Sequence, residues 1–421
     1  MFFHLFAGLV DYHIIFNVFR YISFRSVGAF ITALLFAFLV GPRIIRIMKR
    51  FKIVETINEH VPESHKTKQG TPTMGGLIML IGILVATLLW NNLLNPFILL
   101  LLLTLLWLGG VGFLDDYLKN VLGKKNGLQP KYKLLGQGLL AVVIASALFF
   151  GPDSTESRRF TFPSVINISR SVDISEIVIE EDLYVNNSYS NDYDNETEAT
   201  PTAELGKINV EATWIALPFL KDTFILLSWL FIPFVVFMIM GSSNAVNLTD
   251  GLDGLAPGTI AIATTGLGMM AYLKGHAYLA NYLNLNSVTG AGELTIFTAS
   301  MLGATLGFLW YNAKPAQIFM GDTGSLTMGG LMAVIAIFLQ EQIFFAIIGG
   351  IFVLEAMSSL MQRYYFKFTR LKYGEGRRLF LKAPIHHHYE MKGLSEEKIV
   401  IRFWIVAILL VAIGLGTLKL R

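Results

Sequence analysis

Residues 96–117 read PFILLLLLTLLWLGGVGFLDDY, an unbroken apolar run over 96–114 closed by Asp115 and Asp116. A helix rises 1.5 Å per residue, so about 20 such residues cross the hydrocarbon core of a bilayer. A continuous run, with no alternation of polar and apolar positions, predicts a helix and excludes a barrel strand. Carboxylates are costly at a membrane and are rarely set beside one without a use.

The same pattern recurs along the chain. The sequence is 54% apolar and only 15% charged, too greasy for a soluble protein of 421 residues. Ten candidate spans fall at 26–48, 74–91, 96–114, 132–151, 223–241, 256–273, 293–311, 326–340, 342–363 and 398–418. The expected fold is an all-α polytopic membrane protein of about ten transmembrane helices. The polar triplet Gln340-Glu341-Gln342 splits one long apolar stretch into a tight hairpin. Residues 1–25 lack a basic start and a small-residue cleavage site, and read as an interfacial amphipathic segment rather than a signal peptide. An extra, poor span is the alternative. The chain has no cysteine, which excludes disulfides, Cys-based metal sites and thiol nucleophiles.

Lys and Arg gather in three loops: Arg43 to Lys68, Lys119 to Lys133, and Arg363 to Lys398. With ten spans these loops share one side with the loops near 241–255 and 312–325. The positive-inside rule makes that side the cytoplasm and places both termini outside. Spans one to four then occupy 26–151 and spans five to ten 223–421. The intervening 152–222 is polar and acidic and falls on the outer side. Part of 160–180 alternates as strands do, and 186–204 reads as a loop. The sequons at Asn167 and Asn195 read as chance matches, and the insert carries no catalytic constellation.

The polar motifs at the span ends carry the chemistry. Several acids on one membrane face suggest a divalent metal, and a metal there suggests phosphate chemistry at the lipid surface. Asp115 and Asp116 point about 100° apart on a helix, so they need not share a job; two solvated caps are the bland alternative. Lys119, one turn on, can pair with Asp115 or reach a phosphate. Lys131 lies in the same basic loop and counts as a substrate-binding candidate. Asn247, Asp250 and Asp253 recur every third residue in Asn244-Ala-Val-Asn247-Leu-Thr249-Asp250-Gly-Leu-Asp253-Gly254. This segment reads as one face of a helix or as a glycine-bearing turn that opens the next helix and cradles phosphate. An ordinary capped helix start is the alternative.

Gly321-Asp322-Thr323-Gly324-Ser325 sets a single acid among glycines, a natural metal ligand. Phe319, just before it, suits stacking on a base or anchoring in the interface. His386-His387-His388 suggests zinc at first sight, but consecutive side chains diverge and cannot easily share an ion. Imidazoles also donate to phosphates and carry protons. Lys68, in Lys68-Gln-Gly-Thr-Pro-Thr-Met-Gly-Gly76, can neutralise a phosphate. The chain has no Walker A pattern, nucleophile elbow or dinucleotide fingerprint in the right context.

Taken together, the Lys68–Gly76, Phe113–Tyr117, Asn244–Gly254, Gly321–Ser325 and Ala383–Glu390 motifs closely resemble the phospho-N-acetylmuramoyl-pentapeptide transferases. These belong to the polyprenyl-phosphate N-acetylhexosamine-1-phosphate transferase superfamily. The resemblance covers the chain apart from 152–222, and the three histidines favour the muramoyl-pentapeptide branch. It implies transfer of phospho-MurNAc-pentapeptide from UDP-MurNAc-pentapeptide to undecaprenyl phosphate, giving lipid I and UMP. That reaction needs Mg²⁺ and takes place at the inner face of the bacterial cytoplasmic membrane during peptidoglycan synthesis. By motif position, Asp115, Asp116, Asp250 and Asp322 are the essential acids, with Asp322 the direct Mg²⁺ ligand and His386, His387 and His388 the histidine motif. Lys68, Lys119, Asp253, Asn312 and Phe319 match positions of the nucleoside and phosphate pocket, Phe319 against uracil; Asn247 counts as a further substrate-binding candidate. The partners implied are the two substrates and the lipid bilayer, with no nucleic acid; a homodimer is compatible with the sequence. Two rivals remain: a transferase of another UDP-sugar, and an ion-coupled transporter, for which Glu355 inside span 342–363 is the best-fitting residue.

Overall fold

The computed structural model describes residues 1–6, 13–51, 53, 70–124, 127–150, 164–167, 213–217 and 223–420. Lys68 and most of the 152–222 insert, including both sequons' threonine and serine positions, lie outside the described residues.

The chain is a bundle of long helices: α1 (Ile22–Arg50), α2 (Gly76–Trp90), α3 (Pro96–Asn120), α4 (Pro130–Phe149), α5 (Phe231–Thr249), α6 (Leu255–Lys274), α7 (Ala291–Asn312), α8 (Gly321–Phe338), the pair α9 (Gln342–Ile348) and α10 (Gly350–Tyr373), the short α11 (Ile385–Met391), and α12 (Glu396–Gly416). Each of the ten expected spans overlaps one helix or the α9–α10 pair. Among the described residues, seven helices are long and apolar enough to cross a membrane, eight counting the bent pair as one. The protein is therefore an all-α polytopic membrane protein.

Burial separates the helices that face protein from those that face lipid. The apolar window of α8 is 94% buried and that of α12 only 28%. Helix α8 is therefore the central post, packed against α3 and α5, while α7 packs on α1 and α6. Leu35, Leu106, Val142, Phe237, Ile405 and Leu409 project outward, exposed. A soluble protein would not present such a continuous apolar surface; hydrocarbon accepts it.

Local chemistry sets the helix ends. Asn95 Oδ1 accepts the Phe97 N–H at 2.9 Å and Pro96 sits at the first helical position, a strong start for α3. Beyond shifts of helix ends, such as α8 starting at Gly321 and α10 running on to Tyr373, two differences from the sequence-based expectation change the architecture. Thr223–Leu226 is a strand and α5 begins only at Phe231, so Asn244–Thr249 forms the last turns of a helix rather than a loop. Its β-branched Thr and Ile residues join a three-stranded sheet, in the order Ser164–Asn167, Thr223–Leu226, Trp214–Ala216, the first pair parallel and the second antiparallel. The expected span 342–363 is broken at Gly349, where α9 and α10 meet at 81°. The adjacent Gly349 and Gly350 have the weakest helix propensity short of proline.

At the start of the chain, Phe2–Phe6 is a short helix and Ile14–Arg20 a 3₁₀ turn. Phe2, Phe6, Phe19 and Phe24 cluster with Trp90 at the end of α2, with ring centroids 4.7 to 6.5 Å apart. The polar motifs gather at the other end of the bundle. Phe113–Tyr117 and Asn244–Gly254 lie at the C-terminal ends of α3 and α5, Asn312 ends α7, Gly321–Ser325 opens α8, and the histidines lie on α11.

Candidate active site

The site forms where α3, α4, α5 and α8 converge. Asp115 and Asp116 lie one turn before the C-terminal end of α3 and are 0% and 3% exposed. Asp322 lies in the first turn of α8, its side chain 14% exposed. Each of the three offers an oxygen within 4.8 Å of the other two, a group that could hold a metal ion.

The two adjacent acids do different work, as their divergent directions predict. Asp116 turns inward and binds the start of α8. It accepts the N–H of Asp322 at 3.1 Å, the N–H of Thr323 at 2.9 Å and the hydroxyl of Thr323 at 2.6 Å. The first N–H groups of a helix have no partner within it, and a carboxylate there also meets the positive end of the dipole. Asp115 Oδ1 accepts the Leu128 N–H at 2.8 Å, and its Oδ2 faces the ammonium groups of Lys119 and, at 3.4 Å, Lys133.

Both lysines also hold Asp322. Lys119 Nζ is 3.1 Å and Lys133 Nζ 2.5 Å from Asp322 Oδ2. The other oxygen of Asp322 accepts from Asn247 Nδ2 at 2.7 Å, and the same amide reaches the Ser325 hydroxyl at 2.9 Å. Two cations and three carboxylates are thus interleaved in a nearly buried pocket. Such a set can bind a divalent cation on its oxygens and phosphate oxygens on its ammonium groups.

Behind this group, the 250–254 turn is fastened on three sides. Asp253 Oδ2 accepts the Ala316 N–H at 3.1 Å, and the Asp253 N–H donates to Glu396 at 2.9 Å. Asn312 accepts the Gly254 N–H at 2.9 Å and donates to the Ile318 carbonyl at 2.9 Å. Leu252 and Leu255 pack with Ile399 and Val400 of α12.

The chain matches the glycosyl transferase family 4 model over residues 199–340. It is 42% identical over 421 residues to the phospho-N-acetylmuramoyl-pentapeptide-transferase of Endomicrobium trichonymphae, with all of both chains covered. The protein of that name from Chloroherpeton thalassium is 41% identical over 405 residues, 96% of this chain and 95% of its own. That of Citrifermentans bemidjiense is 42% identical over 422 residues and the full length of both. The chain belongs to the phospho-N-acetylmuramoyl-pentapeptide-transferase family. The full-length alignments run through 152–222, the segment that the motif resemblance left uncovered.

Within this family member, Asp115, Asp116, Asp322, Lys119 and Asn247 come together as described. Asp250 closes α5 nearby, half-buried. Asp253 and Asn312 are buried and bind backbone, so they shape the wall of the site. Phe319 is half-buried, and its backbone pairs with the start of α2: its N–H donates to the Pro72 carbonyl and its carbonyl accepts the Gly75 N–H, both at 2.8 Å. Lys131 is exposed, its ammonium 4.9 Å from the centre of the Tyr132 ring, and is not part of the acid cluster.

The three histidines diverge as expected. The Nδ1 atoms of His386, His387 and His388 meet Glu355, Glu390 and the Leu381 N–H respectively, at 3.0, 3.0 and 3.1 Å. Burial, together with the nearby His386 and Lys382, holds the His387 imidazole below its ordinary pKa against the pull of Glu390.

Sequence reasoning did not single out Lys133. The signal was present, however. Lys133 is one turn before Gln137 on the stripe Gln137, Leu140, Ala141 and Ile144 that α4 buries. Lys131 precedes Leu135 and Leu139 on the exposed stripe.

Proposed function

We propose that the chain transfers phospho-MurNAc-pentapeptide from UDP-MurNAc-pentapeptide to undecaprenyl phosphate, releasing UMP and forming lipid I, at the cytoplasmic face of a bacterial inner membrane. One observation carries this reading. In a member of this family, Asp115, Asp116 and Asp322 converge with Lys119 and Lys133 at one end of a membrane-helix bundle.

A phosphate oxygen of the lipid attacks the sugar-linked phosphorus of the nucleotide. The new P–O bond forms as the bond to the UMP oxygen breaks. Phosphoryl transfer of this kind needs positioning and charge neutralisation more than covalent chemistry. The donors present are carboxylate oxygens, hard ligands that fit Mg²⁺. Asp322 and Asp115 would hold the ion, which supplies charge neutralisation at the pyrophosphate and the departing UMP. Lys119 and Lys133 bind phosphate oxygens, and Asn247 keeps Asp322 aimed. Asp116, held by three hydrogen bonds and nearly buried, positions α8; that commitment favours direct displacement over a phospho-Asp116 intermediate.

Beside the site lies a cavity of about 870 Å³ lined by Leu248, Gln362, Arg363, Arg378, Lys382 and Met391, among others. Its mixture of cations and apolar walls suits a lipid phosphate. Glu355, the residue that best fitted a transporter, is hydrogen-bonded to His386. The test is UMP release by purified protein from UDP-MurNAc-pentapeptide. Release is expected only with added undecaprenyl phosphate and Mg²⁺, and not with UDP-N-acetylglucosamine. Equal turnover of both UDP-sugars assigns the chain to the other branch of the superfamily.

A further inference from the structure

Glu355 is an acid in the second turn of α10, six residues past the Gly349 break, and is 0% exposed. A lone carboxylate in such surroundings is costly, so its partner defines its purpose. That partner is His386, also 0% exposed, whose Nδ1 is 3.0 Å from Glu355 Oε2. The far nitrogen, Nε2, is buried and makes no hydrogen bond. It rests on Gly251, where an added Cβ would lie 2.3 Å from Nε2. Gly251 directly follows Asp250. Its own N–H is committed to the Thr249 carbonyl at 2.9 Å, so it offers the imidazole no donor.

We infer that Glu355 is a positioning residue that acts through His386 to seat the Asp250–Gly251 turn. The inference rests on the proposed transferase reading and deepens it. A carboxylate accepts only, so it selects the Nδ1–H tautomer and leaves Nε2 bare. A bare nitrogen packs flush on the Gly251 backbone. The opposite tautomer aims a hydrogen into that contact, where nothing accepts it, and the ring must withdraw. The broken span is thereby linked to the acidic turn at the active site: the bend at Gly349 sets α10, α10 carries Glu355, and Glu355 fixes the ring under Asp250.

The test uses the full-length protein in detergent. Glu355→Gln keeps the volume and removes a buried charge, so the protein is expected to fold with an unchanged melting temperature. The amide donates as readily as it accepts, and the tautomer is released. By analogy with other carboxylate–histidine pairs, kcat is expected to fall about 30-fold or more. Gly251→Ala displaces the same ring, so the double variant is expected within about threefold of the weaker single variant; independent roles would multiply. A second readout does not depend on turnover. In ¹⁵N-histidine spectra, the His386 signals, identified by their loss in His386→Gln, are expected to show the Nδ1–H tautomer in the wild type and a shift toward Nε2–H in Glu355→Gln. A wild-type Nε2–H tautomer, a Glu355→Gln enzyme with kcat within about threefold of wild type, or multiplicative losses would each overturn the inference. If the wild type fails to turn over UDP-MurNAc-pentapeptide, the substrate reading is at fault, and the spectra still decide the role of Glu355.

Discussion

Asp116 on α3 accepts hydrogen bonds from the backbone of Asp322 itself and of its neighbour Thr323, so one acid of the site holds the helix that presents another. The two carboxylates are coupled through α8, not merely close. Asp116→Asn is therefore expected to damage both fold and activity. Losing a charged helix cap costs about 1–2 kcal/mol. Thermal unfolding in detergent should show a lower midpoint alongside lost UMP release, and an inactive variant with wild-type stability would mean that Asp116 does chemistry instead.

Asp322→Asn is expected to behave differently. The Asp322 side chain faces Lys119, Lys133 and Asn247, all of them side-chain partners. Turnover should nearly vanish and its Mg²⁺ dependence weaken, while the protein stays folded. Losing a well-placed charge contact in the transition state should exceed the ~1.4 kcal/mol that a tenfold rate loss represents. A variant that retained more than about a tenth of wild-type activity would remove Asp322 from the metal site.

Lys133 and Lys131 give a matched comparison on one helix. Lys133→Ala removes an ammonium group 2.5 Å from Asp322, whereas Lys131→Ala removes an exposed one. The first is expected to lose at least about tenfold in kcat/KM, the second less than about threefold. Steady-state kinetics on both variants checks this, and equal losses would mean that the substrate draws Lys131 into the site.

Much of this was legible in the sequence because hydrophobic runs encode spans directly. The run 96–114 and its terminal acids lie within α3, which starts at Pro96 as expected and runs one turn further, to Asn120. The signals that failed are local ones overruled by packing. Thr223–Leu226 is as apolar as a helix start, yet it pairs with Trp214–Ala216 just before it and with the distant Ser164–Asn167. The bend at Gly349 lay inside an apolar run that no periodicity marks. Asp253 and Asn312 are read from the motif as pocket residues; that they also fasten backbone groups, Asp253 at Ala316 and Asn312 at Gly254 and Ile318, is a relation that only tertiary contact reveals. Lys133 was readable through the buried stripe of α4, not through charge counting.

Phe319→Ala is expected to raise the KM for the UDP-sugar with a smaller change in kcat. Phe319 is half-buried, three residues before Asp322, and its backbone N–H and carbonyl are pinned to Pro72 and Gly75. Stacking on a base stabilises ground and transition states alike, which is the signature of uniform binding. An unchanged KM would return Phe319 to the role of an interfacial anchor.

Gly321→Ala tests the geometry of the whole cluster without touching a charge. Gly321 has φ +72°, a conformation that side chains rarely adopt, and an added Cβ would lie 2.6 Å from Asp116 Oδ2. The left-handed backbone alone costs about 1–2 kcal/mol for a residue other than glycine. The clash adds to that, because Asp116 is held in place by Asp322 and Thr323 and cannot simply rotate away. Either the cap breaks or α8 shifts, and Asp322 moves with it. The expected result is a large loss of kcat with all three carboxylates still present, and a lowered melting temperature. Pairing Gly321→Ala with Asp116→Asn separates the two causes. If the clash with the Asp116 carboxylate dominates, the second substitution should add little to the stability loss of the first; if the backbone conformation dominates, the two losses should add.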